Sequence, residues 1–168
     1  MITTQQGCLA QLTDMGISHQ THDHPAVFTV EQGADIKSRL PGGHTKNLFL
    51  KSKDGQYVLV CALGGTAIEV NQLHKQIGTK RLSFGKPEDM TRLLGVTPGS
   101  VTLFGLMNDA GGKVRLVIDA ALAACEIVNF HPLQNTATTA ISSADMMHFA
   151  RSTGHDPLVI DFSATPSP

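Results

Sequence analysis

His44-Thr45-Lys46-Asn47-Leu48-Phe49-Leu50-Lys51-Ser52-Lys53-Asp54-Gly55, followed by Tyr57-Val58-Leu59-Val60-Cys61, decides how this chain folds. Asp-Gly between two apolar runs predicts a hairpin, because Asp and Gly tolerate the positive φ that a tight turn demands. The expected strands cover about residues 45–52 and 56–63. Side chains alternate across a strand, so Lys46 shares a face with Leu48 and Leu50. A lysine on an apolar face, at the open end of its strand, either snorkels outward or meets an anion.

Outward from the hairpin, Leu9, Leu12 and Met15 at helical spacing predict a helix over Thr4–Met15 that stops at Gly16. Ile17–Asp23 alternates and reads as a strand, and residues 30–39 read as a short helix ahead of Pro41-Gly42-Gly43. Further helices are expected over Glu69–Ile77, from Pro87 to the stop at Gly95, and over Ala144–Ser152 behind Ser142 or Ser143. Further strands are expected at Ser100–Phe104, Val114–Ile118, Glu126–Phe130 and Leu158–Phe162. Leu133 to Thr138 reads as a polar loop, and 164–168 as a disordered tail. Strands outnumber helices, with the helices scattered between them. That order argues for an α/β or α+β domain built on a curved mixed sheet, one domain over residues 1–163.

With 168 residues the chain can bury a sizeable core, and its 13 basic and 14 acidic residues leave a net charge of −1. No global field draws in nucleic acid, so any such partner must be held by a local patch. No apolar run is long enough to span a membrane, and the first residues resemble no secretory leader, so a soluble cytoplasmic protein is expected. Cys8, Cys61 and Cys125 are odd in number, widely spaced and in apolar surroundings, which reads as buried reduced thiols.

Few residues offer chemistry. His19, His22 and His24 invite a metal, but on a strand only His22 and His24 converge, and no further ligand completes a known spacing. Gly42-Gly43-His44-Thr45-Lys46 lacks the spacing of a phosphate loop, and no Gly-x-Ser-x-Gly elbow occurs. Two features remain: Lys46 beside Asn47, and His131 at a strand end before Pro132. Together they suggest a cleft with one cation and one imidazole, suited to an ester next to a phosphate.

The segments His24-Pro25-Ala26-Val27-Phe28-Thr29, Gly43 to Lys51, Lys80-Arg81-Leu82-Ser83-Phe84, Leu94 to Thr102, Phe104 to Asp109 and Phe130-His131-Pro132-Leu133 resemble the YbaK / prolyl-tRNA-synthetase-associated editing family. Their order and spacing span about residues 17 to 160. The resemblance implies a single α/β domain with a curved, barrel-like mixed sheet flanked by helices. It also implies hydrolysis of the ester between an amino acid and the 3′-terminal ribose of mischarged tRNA-Pro, with alanine as the implied amino acid in the freestanding branch and cysteine in the branch nearer the YbaK name.

In the implied site Lys46 and His131 are catalytic, Asn47, Phe104, Gly105 and Leu106 bind substrate, and Lys80 and Arg81 hold the tRNA acceptor end. Prolyl-tRNA synthetase is the implied partner, and neither metal nor other cofactor is expected. Water attacks directly, oriented by His131 and the ribose hydroxyl, and no covalent intermediate forms. Leu103 stands where relatives often carry proline, which bears on pocket shape and amino-acid selectivity. The competing reading is a binding module that holds aminoacyl-tRNA or a nucleotide without catalysis.

Overall fold

The computed structural model describes residues 3–26 and 30–163, with the backbone alone for 30–32. Val27, Phe28 and Thr29 of the first matching segment and the 164–168 tail lie outside the described residues. The chain runs α1 (Gln5–Asp14), β1 (Gln20–Asp23), α2 (Val30–Arg39), β2 (Gly43–Ser52), β3 (Tyr57–Leu63), α3 (Val70–Ile77), β4 (Leu82–Phe84) and α4 (Pro87–Leu94). After a 3₁₀ helix at Leu103–Asn108 come β5 (Val114–Asp119), α5 (Ala120–Ala123), β6 (Ile127–Phe130), β7 (Ala137–Ser142), α6 (Ser143–Ser152) and β8 (Leu158–Ile160).

All eight strands form one mixed sheet, ordered β1-β7-β6-β2-β3-β5-β8, with β4 added on β2. The ten-residue β2 organises it. One edge pairs antiparallel with β3 along Thr45–Lys51. The other edge pairs parallel with β6 at Gly43 and His44, and antiparallel with β4 at Leu50–Ser52. Between those two partners β2 leaves β6, and the site described below lies where they part.

The β2–β3 turn is looser than a two-residue hairpin. The Gly55 N–H donates to the Ser52 carbonyl at 3.0 Å, and Ser52 and Gln56 pair at 2.7 Å. Gly55 alone takes a positive φ, 91°, while Asp54 does not. This is a three-residue loop with glycine at the left-handed position, so the expectation of positive φ at both turn residues is corrected.

Apolar clusters cover both faces of the sheet. Phe49, Leu59 and Cys61 pack with Phe104, Phe130 and Phe149 on one face. Leu50, Val58, Val60 and Val117 pack under Leu73, Ile77 and Leu82 on the other. Caps close the helices: Thr4 accepts from the Gly7 N–H, Ser142 accepts from the Asp145 N–H, and Gly78 and Gly95 end α3 and α4 in the left-handed region. Among the described residues no helix is long and apolar enough to cross a membrane.

Four expectations change. The strand expected at Ser100–Phe104 is absent; the Thr102 hydroxyl accepts from the Phe104 N–H, and the segment winds into the 3₁₀ helix instead. The loop expected through Thr138 contains the start of β7, whose small Thr and Ala side chains gave no apolar alternation to read. Ile17 belongs to the end of α1, its N–H on the Leu12 carbonyl, so β1 starts only at Gln20. Cys8 and Cys61 are buried, but Cys125 is partly exposed.

Candidate functional site

β2 and β6 run parallel with His44 opposite Asn129. Lys46 lies two residues beyond that pair on β2 and by alternation projects from the face that carries His44 and Asn129, and His131 directly follows β6, two residues beyond Asn129. The β6–β7 register sets Asn129 opposite Ala140, which puts Thr138 on the face of Asn129, and His24, bonded to Thr138, packs against the His131 ring. His22, opposite Thr138 in β1, joins them. Four strands from both halves of the sequence thus bring polar side chains together where β2 and β6 part. Thr45 stitches the fork, its hydroxyl donating to the Asn129 carbonyl at 2.7 Å.

Lys46 is half-buried and held in place. Its ammonium donates to the Thr66 carbonyl, and the Thr66 hydroxyl donates to Asp119 Oδ2 at 2.6 Å. Asp119 is buried, and it also accepts from the N–H groups of Leu63 and Ala121, each at 3.1 Å. The carboxylate therefore ties together the turn after β3, the start of α5 and, through Thr66, the lysine. Lys46 is not the loose lysine of an exposed strand end; one of its protons is committed and the other two can face a ligand. Neither Thr66 nor Asp119 was legible as part of this arrangement, since nothing in the sequence relates a residue after β3 to the end of β5.

His131 Nδ1 lies 3.0 Å from the Ala137 carbonyl. A carbonyl only accepts, so Nδ1 carries the proton and Nε2 of the neutral ring is left as an acceptor. Burial, and secondarily the nearby His24, push the His131 pKa below the ordinary histidine value, which outweighs the carbonyl contact. The His24 ring stands edge-on to it, centroids 6.4 Å apart. His24 Nε2 meets the Thr138 hydroxyl at 2.8 Å, and its Nδ1 donates to the Pro25 carbonyl at 2.9 Å. Two residues after His131, Leu133 adopts φ 70°, a costly conformation for a large side chain. Its N–H bonds to the His131 carbonyl at 2.9 Å and its side chain is buried.

Helix α2 helps wall two hollows beside this face. An open one of about 730 Å³ is lined by Lys37, His44, Gly64, Gly65 and Cys125 among others. A smaller one of about 260 Å³ lies between His22, Asp23 and His24 and the α2 end, Ile36, Arg39 and Leu40. The His44 Nε2–H donates to the Leu40 carbonyl at 2.9 Å, which pins the α2–β2 connection between them.

The remaining expected site residues sit elsewhere. Asn47 projects from the opposite face of β2; its Nδ2 donates to the Thr45 hydroxyl at 3.2 Å, and its buried Oδ1 has no partner. Phe104, Gly105 and Leu106 are fully buried in the core of that opposite face. The Gly105 N–H already bonds to the Thr102 carbonyl at 3.1 Å, and a Cβ on Gly105 would come within 2.9 Å of Leu94. The Gly105 N–H is thus already taken, and the absence of a side chain there permits close packing of the 3₁₀ helix on α4. Lys80 and Arg81 are exposed ahead of β4, with the Arg81 carbonyl bonded to the Lys53 N–H at 2.9 Å. That places Arg81 near the hairpin end of β2, roughly 23 Å from Lys46 at the usual strand rise.

Residues 24–149 match the family described as aminoacyl-tRNA editing domain. A Bos taurus protein described as prolyl-tRNA synthetase associated domain-containing protein 1 is 38% identical over 157 residues, covering 90% of this chain and 91% of its own. The prolyl-tRNA editing protein ProX of Acetoanaerobium sticklandii is 31% identical over 152 residues, covering 90% and 93%. A solved structure, described as a candidate trans-editing enzyme for prolyl tRNA synthetase, shares the fold with a TM-score of 0.71 at 17% identity, covering 96% of this chain and 98% of that one.

Proposed function

The chain belongs to the aminoacyl-tRNA editing domain family, and on that basis we propose that it deacylates mischarged tRNA-Pro in trans, with alanine as the amino acid removed. The observation that carries this reading is the placement of Lys46 on β2 and of His131 just past the end of β6, each two residues beyond the His44–Asn129 pair, with the cation tethered and the imidazole pKa lowered. A cation and a general base on one side of an ester are what hydrolysis by water needs. The relative named for prolyl-tRNA editing supports the tRNA-Pro assignment.

In this reading Lys46 faces the terminal phosphate or the oxyanion that develops on the ester carbonyl. His131 Nε2 takes a proton from the attacking water, with Nδ1 held by the Ala137 carbonyl. The ribose hydroxyl beside the ester helps to orient that water. No nucleophilic side chain takes part. Cys8 and Cys61 suit that mechanism, because burial pushes both thiols well above their ordinary range and leaves no thiolate.

Selection of alanine rests on size. A pocket gains only ~1–3 kcal/mol per methylene, so a synthetase that accepts proline admits alanine, whereas a small editing pocket excludes proline by shape. Cysteine is the runner-up substrate, since its side chain adds a single heavy atom. The deciding measurement is release of amino acid from Ala-, Cys-, Ser- and Pro-charged tRNA-Pro at substoichiometric protein. Alanine released fastest and proline untouched is the expected result. Cysteine released fastest would reassign the substrate, and no turnover on any of them would leave a binding module.

A further inference from the structure

Phe84 is 65% exposed, and with Val159 it is one of two large apolar side chains exposed among the described residues. Its position is fixed. Phe84 pairs with Leu50 in the β2–β4 ladder, and the next residue, Gly85, donates its N–H to the Phe49 carbonyl at 2.8 Å. Gly85 lies flat on the Phe49 ring, where a Cβ would come within 2.3 Å, so the chain cannot turn Phe84 inward there.

The segment that carries Phe84 holds one sign of charge, with Glu88 and Asp89 of α4 just beyond and Asp89 paired to Lys51. From Val70 to Pro87 the sequence contains Lys75, Lys80, Arg81 and Lys86 and no Asp or Glu. Among the described residues none of the four is in an ion pair. A local cationic run on a chain of net charge −1 calls for an anionic partner.

Alternation puts Phe84, opposite Leu50 and at the rim of the apolar cluster that buries Leu50 under α3, on the same sheet face as Lys46, four residues back along β2. That is roughly 13 Å of strand, and the Lys80–Arg81 pair lies further in the same direction. An aromatic face between a proposed ester site and a cationic patch suits single-stranded RNA, whose bases stack on rings while its phosphates take the charges.

We infer that Phe84 is a stacking platform for the unpaired 3′-terminal nucleotides of the tRNA, beside the cations of Lys80 and Arg81. The inference rests on the editing reading for the identity of the RNA, yet its test needs no catalysis.

The chain has no tryptophan, so Phe84→Trp introduces a single fluorophore at this spot. Titration with uncharged tRNA is expected to quench its emission, and tRNA trimmed of its unpaired 3′ nucleotides to leave it unchanged. Phe84→Ala is expected to weaken tRNA binding by on the order of tenfold or more, with Phe84→Tyr restoring it. Equal quenching by intact and trimmed tRNA, or an Ala variant with undiminished affinity, overturns the inference. So does a Phe84→Ala protein that binds tRNA normally but loses affinity for prolyl-tRNA synthetase, which would make this a protein interface. Because the RNA is uncharged, these results stand whether or not the wild-type protein releases alanine, and the two readings fail separately.

Discussion

The rings of His24 and His131 stand edge to face, their centroids 6.4 Å apart, although 107 positions separate them in the chain. The contact adds to the electrostatics of the face. Desolvation first, and more weakly His24, hold the His131 pKa below that of a free histidine against the raising effect of the Ala137 carbonyl.

The first expectation concerns pH. If neutral His131 is the base, kcat/KM falls on the acid side with a midpoint below the ordinary histidine value of ~6.5. His24→Gln removes a lowering influence, so the midpoint should move to higher pH. The stability linkage has a fixed sign: a depressed folded pKa gives a contribution fully present above the unfolded value, lost as pH falls from there through the folded value. An NMR titration of the His131 ring in both proteins measures the shift; an unmoved midpoint removes His24 from the electrostatics.

Lys46→Ala is expected to lower deacylation by on the order of 10²–10³. The side chain is half-buried at the fork and outside both apolar clusters, so circular dichroism should report an intact fold. Near-wild-type turnover by the folded variant would take Lys46 out of the mechanism.

Asp119→Ala strips the acceptor from the Leu63 and Ala121 N–H groups and from the Thr66 hydroxyl. Leaving buried donors unsatisfied should cost about 1–3 kcal/mol, read as a lower urea midpoint. Thr66→Val keeps two of those bonds and loses the third. Its expected signature is a small stability loss with a clear drop in kcat, because the turn that carries the Lys46 acceptor is loosened.

Gly105→Ala forces a methyl against Leu94, including its backbone oxygen at 3.0 Å. Overpacking of this kind costs about 1–3 kcal/mol. Activity lost by this variant should return under stabilising conditions such as added osmolyte. Persistent loss in protein shown to be folded would give Gly105 a direct role with substrate.

Iodoacetamide on the native protein should label Cys125 alone. Cys8 and Cys61 are buried with their thiols held in the protonated form, whereas Cys125 is partly exposed. Mass spectrometry after brief labelling checks this, and modification at Cys61 without unfolding would contradict the packing of β3.

Local patterns in the sequence were enough for much of this molecule. The β2–β3 hairpin follows from Asp54-Gly55 between apolar runs, α4 from Pro87 and Gly95, and α6 from its serine cap, because turns, caps and amphipathic periods are written within a few residues. The same locality misled at Leu103–Asn108, where Val-Thr-Leu-Phe has strand composition but the Thr102 cap and packing on Leu94 favour a 3₁₀ turn. It was silent at Ala137–Ser142, whose strand exists because β1 and β6 flank it.

The sequence alone also singled out Lys46 and His131 as residues with chemistry to offer. Only the tertiary structure put them at matched steps beyond His44 and Asn129, fastened the lysine through Thr66 to Asp119, and set His24 against the imidazole. It likewise sent Phe104, Gly105 and Leu106 into the core and Phe84 into solvent. Side-chain identity is a property of one position, whereas register, burial and hydrogen-bond partnership are properties of pairs that long-range strand pairing brings together. Such pairings are fixed when the sheet closes, by which apolar faces can be buried at once.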